Sequence, residues 1–121
     1  MEQNALLKNI EFAKPRQLLS MVEYKEGQVV SRTLCQLPGL SITLFAFARG
    51  EGLSAHTVEA DALVQILDGE ALITIGQEAM TAAAGEVVAM PQGISHALEA
   101  KEPFKMLLTV IRAAQQLPGL T

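Results

Sequence analysis

The sequence predicts an all-β sandwich or barrel, and three observations carry that prediction. Short runs rich in β-branched and aromatic residues recur along the chain. Turn signals built on Gly and Pro separate them at the spacing of an all-β domain. Helix signals are weak and confined to the two ends, with "NALLKNI" giving a turn or two at the start and "RAAQQL" a short turn stopped by Pro118-Gly119.

Each element follows from its own residues. "GQVVSRTLCQ" alternates and is β-branched, "LPGL" supplies a tight turn, and "SITLFAFA" continues as a strand of high β propensity. "DALVQIL" and "EALITI" flank Asp68-Gly69, a strong hairpin signal. Gly76-Gln77 then turns into "EAMTA", and "AAGE" turns into "VVAM". Pro91 and Gly93 break that strand before "SHALEA", and "FKMLLTVI" is the last strand. Nine or ten strands are expected, arranged as an N-terminal extension over 1–20 with a short helix or strand, a barrel over 21–112 and a tail over 113–121.

Composition narrows the function. The 121 residues are 50% apolar, with a mean hydropathy of +0.28, more than one small domain buries by itself. A homodimer is therefore expected, with Met21 to Gln36 packed on a partner's sheet. The net charge is −4 and no Lys/Arg cluster occurs, so nucleic acid and anionic membranes are excluded as expected partners. No run approaches the ~18 apolar residues of a membrane span. Cys35 is the single cysteine, and "MEQNALLKNIEFAK" lacks the features of a signal peptide, so a cytoplasmic location is expected.

Chemistry concentrates around the two histidines, His56 and His96. Gly50, His56, Val58, Ala62 and Gly69 stand at the intervals of G-x5-H-x-H-x3-E-x6-G. Gly85, Pro91, Gly93, His96 and Ala100 stand at those of G-x5-P-x-G-x2-H-x3-N. By these two motifs the chain resembles the cupin family from about Val22 to Arg112, with "EALITI" and "EAMTA" as the inter-motif hairpin. The resemblance implies a double-stranded β-helix, or jelly-roll, barrel. In metal-binding cupins it also implies that two histidines and a glutamate of the first motif and the histidine of the second hold the ion. Here Val58 and Ala62 occupy two of those four positions, and Ala100 replaces the closing asparagine.

Strand alternation places His56, Val58, Ala62, Val64 and Ile66 on the inward face and Glu59 and Asp61 outward. A one-residue slip would turn Asp61 inward and complete a two-histidine, one-carboxylate set. Without a slip, His56, Val58, Ala62, Val64, His96 and Leu98, with Met or Phe from the last strand, line an apolar pocket carrying two imidazoles. Three functions follow from these residues. The first is a small-molecule-binding module. The second, implied by the resemblance, is a metal-dependent oxygenase or isomerase of the cupin kind in which His56 and His96 weakly hold iron, manganese, nickel or zinc, completed by Asp61, water or substrate. The third is a regulatory or structural dimer. Substrate identity does not follow from the residues.

Overall fold

The computed structural model describes residues 5–113. Nine strands form two antiparallel sheets. They are β1 (Val29–Leu37), β2 (Leu40–Phe47), β3 (Gly52–His56), β4 (Asp61–Asp68), β5 (Glu70–Ile75), β6 (Glu78–Ala83), β7 (Val87–Met90), β8 (His96–Glu99) and β9 (Phe104–Ile111). The five-stranded sheet runs β1-β2-β9-β4-β7 and the four-stranded sheet β3-β8-β5-β6, the two packing as a jelly roll.

Alternating side chains build the core between them. Val64 and Ile66 of β4, Met106 of β9, Ala71 and Ile73 of β5 and Leu98 of β8 interdigitate. Phe47 and Phe104, directly opposite on β2 and β9, stack with ring centroids 4.6 Å apart and fill one end of the sandwich. The other end stays open.

A second apolar cluster lies on the outer face of the five-stranded sheet. Met21 and Val22 cover Leu34, Leu44 and Ala46 there. Tyr24 donates a 2.5 Å hydrogen bond to Asp68, and Lys105 donates at 2.6 Å to the Leu19 carbonyl, pinning the N-terminal segment across β4 and β9. Within the stretch 21–36, Met21, Val22, Leu34 and Cys35 are buried by the chain itself, while Val29 and Val30 are half-buried. Leu63 and Ile111, farther along the same face, stay exposed beside a hollow of about 520 Å³, and Val87 is exposed as well.

Two local expectations are corrected. The N-terminal helix is absent over 5–10. Instead Leu7 bridges Cys35 antiparallel, and the Lys8 amide donates to the Leu34 carbonyl at 2.8 Å. Leu18–Ser20 forms a single 3-10 turn, while the C-terminal turn in "RAAQQL" falls largely outside the described residues. Asp68-Gly69 is no hairpin either. β4 pairs with β7 and β9 whereas β5 pairs with β6 and β8, so the chain crosses between sheets at Gly69. Both flanking runs have a buried face in the same core, and a bend that changes sheets serves them better than pairing with each other. The Gly76-Gln77 hairpin forms as expected, with Ile75 opposite Glu78. Among the described residues no helix is long and apolar enough to cross a membrane.

Candidate functional site

β3 and β8 bring the two histidines together at the open end. Gly52 lies opposite Glu99, Leu53 opposite Leu98, and His56 opposite His96, with a bulge between Leu53 and His56. The bulge turns His56 toward the interior alongside Leu53. Gly52 permits the close approach: a Cβ there would sit 2.3 Å from the Leu98 carbonyl oxygen. The imidazole centroids are 4.7 Å apart, with the rings edge to face at 67°.

The two rings differ in environment. The Nδ1 of His56, an exposed residue, lies 2.9 Å from the Ser54 carbonyl. A carbonyl only accepts, so Nδ1 donates there, and in the neutral ring Nε2 presents its lone pair. His96 is 6% exposed, and its buried Nδ1 has no partner among the described residues. Burial first, and the proximity of His56 second, push the His96 pKa below the ordinary imidazole value of 6.5. On acidification through 6.5 the unfolded chain therefore takes up this proton before the folded one does. Stability should be fully present above that pH and decline as the pH falls. Thermal melts from pH 7.5 to 5 should show the decline, and His96→Asn should flatten it. An equal slope in the variant would assign the acid sensitivity to other groups.

Main-chain groups lace the two histidine segments. The Gly93 amide donates to the Val58 carbonyl at 2.9 Å, and the Gln92 amide donates to the Asp61 carboxylate at 2.8 Å. The register slip that would bring Asp61 inward does not occur. Ala62, Val64 and Ile66 are buried, Asp61 is exposed, and Ala62 pairs with Met90 without a shift. A slip would have moved those three apolar side chains into water.

A cavity of about 210 Å³ opens between the sheets at this end. His56, Val58, Ala62, His96 and Leu98 line it as predicted. Val64 does not: it lies deeper, fully buried in the core. The last strand contributes Leu108 and Val110 rather than Met106 or Phe104, which are core. Leu53 and Met90 complete the apolar wall.

Three polar lining residues were missed by sequence reasoning: Gln36, Ser41 and Arg112. Arg112 continues the inward alternation of Phe104, Met106, Leu108 and Val110, a signal masked because the outward residues Leu107 and Ile111 are apolar too. Gln36 had no such signal, since it faces inward only because of a bulge between Thr33 and Cys35.

The donor set bears on the metal that the motif intervals imply. A stable divalent site wants three or more protein donors. Among the described residues no three His, Cys, Asp or Glu side chains converge, and two imidazoles alone do not meet that requirement. The residues present therefore do not fit a metal held by protein donors alone.

Fold, motif spacing and open-end histidines together define a cupin, and comparison with known proteins agrees. The family described as Cupin domain (Cupin_2) matches residues 43–111, more than half of the chain, which therefore belongs to it. The conserved SPY1581 protein of unknown function from Streptococcus pyogenes is 42% identical, with a TM-score of 0.89, over 92% of this chain and 97% of its own. A cupin superfamily protein (DSY2733) from Desulfitobacterium hafniense DCB-2 is 37% identical, with a TM-score of 0.85, over 90% of this chain and 100% of its own. A cupin 2 conserved barrel domain protein from Leptotrichia buccalis is 39% identical over 78% of this chain and 46% of its own, at a TM-score of 0.75. No curated protein matches the chain.

Proposed function

We propose that this cupin binds a small organic molecule in the cavity at its open end, with His56 and His96 as the recognition pair. The observation that supports this reading is the pairing of two imidazoles 4.7 Å apart on the wall of an otherwise mainly apolar cavity. Apolar walls with a few converging polar groups are the general form of a small-ligand site. The fixed tautomer of His56 offers a hydrogen-bond acceptor at Nε2. His96, whose pKa burial lowers, adds a second imidazole that in its neutral form can accept or donate.

Protein purified without chelators tests the reading. Native mass spectrometry should find a bound small molecule that is lost in His56→Ala and His96→Ala, with metal well below one equivalent by elemental analysis. Stoichiometric iron, manganese, nickel or zinc, lost in both variants, would instead establish the metal-dependent reading, with water or substrate completing the coordination sphere.

A further inference from the structure

We infer that the ligand is a short hydroxycarboxylate, its carboxylate held by Arg112 and its hydroxyl directed to the histidine pair. This rests on the pocket reading above and adds the ligand class.

The chain has four arginines, and three are committed to internal partners. Arg16 pairs with Glu11 and Arg49 with Glu102, while Arg32 donates to the Asn9 and Met21 carbonyls. Arg112 makes no ion pair and no side-chain hydrogen bond among the described residues. Its backbone is nonetheless fixed, the amide donating to the Gly39 carbonyl at 2.9 Å so that the β2–β9 ladder extends one residue past Ile111. Strand alternation turns it to the cavity side, where it contributes to the wall with Gln36 and Ser41.

The charge pattern of the wall selects the ligand. Among the described residues it carries one guanidinium, two imidazoles and no carboxylate, in a protein whose net charge is −4. Asp61, the nearest acid in sequence to Ala62, is exposed and engaged with the Gln92 amide. Such a site attracts anions and rejects cations. The planar guanidinium fork matches a carboxylate in two parallel hydrogen bonds. Leu108, Val110 and Ala62 make much of the remaining wall apolar, which suits a short hydrocarbon spacer better than a phosphate that needs donors on every side.

The far end needs a hydroxyl. With Nδ1 turned to the Ser54 carbonyl, the Nε2 of the neutral His56 ring accepts a hydrogen bond from a hydroxyl, and the His96 ring packs edge to face against it at 4.7 Å. The cavity volume, about 210 Å³, lies below the ~300–1,000 Å³ of sites for drug-sized molecules, so the ligand is small.

Imidazole nitrogen NMR shifts of the full chain, titrated with lactate and 3-hydroxybutyrate, their neutral amides and inorganic phosphate, test the assignment. At least one acid should shift both imidazoles saturably, and its amide should bind at least about ten-fold more weakly. Arg112→Gln should weaken the acid about ten- to a hundred-fold, and Arg112→Lys should restore part of that loss. Equal binding of acid and amide, an unchanged Arg112→Gln, or phosphate binding in place of the acids would overturn the carboxylate anchor. In those cases the imidazole shifts leave the pocket reading standing. If neither acids nor amides move either imidazole, the inference fails. Absence of a co-purified molecule together with stoichiometric metal is the separate result that removes the pocket reading.

Discussion

Val58→His combined with Ala62→Glu is expected to give the chain a tight divalent-metal site. Both positions line the cavity that His56 and His96 already share, so the new side chains complete a set of three imidazoles and one carboxylate. Going from two donors to four should tighten binding about a thousand-fold or more, roughly 4 kcal/mol. Without metal the variant should melt below the parent, because the introduced carboxylate would replace the methyl group of Ala62, only 4% exposed, and sit among apolar neighbours. Added zinc or manganese should reverse that loss, by about 2.7 kcal/mol at a hundred times Kd. Elemental analysis and thermal melts with and without metal read both effects. A variant that folds but takes up no more metal than the parent would show that positions 58 and 62 do not point where His56 and His96 do.

Gly69→Ala is expected to remove a large part of the folding free energy. Gly69 sits at φ +76°, where a Cβ is strained, and that Cβ would lie 2.3 Å from the Pro103 carbonyl oxygen and 3.0 Å from the Phe104 Cα. Both obstacles are main chain at the start of β9, beside the stacked Phe47–Phe104 pair, so relief requires moving a strand. Backbone strain of about 1–3 kcal/mol plus this overlap gives an expected loss of about 3–5 kcal/mol in urea unfolding. Gly69→Asn separates the two causes. Asparagine tolerates the left-handed conformation but still carries a Cβ, so it should destabilise almost as much. A melting temperature within a few degrees of the parent in both variants would show that β9 does not approach this closely.

Most of the strand order was legible because burial left its period in the sequence. "EALITI", "VVAM" and "FKMLLTVI" coincide with β5, β7 and β9 residue for residue. β3 was not legible: "GLSAH" is a short edge strand with only Leu53 partly buried, so it carries no alternation. The Asp68-Gly69 crossing was misread because a turn signal reports a local bend and not which strands pair across it. For the site, spacing placed His56, Val58, Ala62, His96 and Leu98 at one cavity. It missed Gln36, whose arrival there depends on the β1 bulge, and Ser41, which continues the inward alternation of Phe47, Phe45 and Thr43 on β2. The predicted inward face of His56, Val58, Ala62, Val64 and Ile66 holds although Thr57–Ala60 is not strand. Val64, one inward position past Ala62 on β4, lies beneath the cavity and not on its wall.

The lacing at the mouth has a consequence for how this scaffold can change. Gly93 is tied to the Val58 main chain, and Gln92 to a carboxylate outside the cavity, so the shape of the opening does not depend on the side chains that face inward. Residues 56, 58, 62 and 96 can be exchanged while the loops that present them stay in place. The frame of the mouth and the chemistry it presents thus rest on different groups, and the double substitution at 58 and 62 tests whether a metal-holding barrel stands two substitutions away on the same frame.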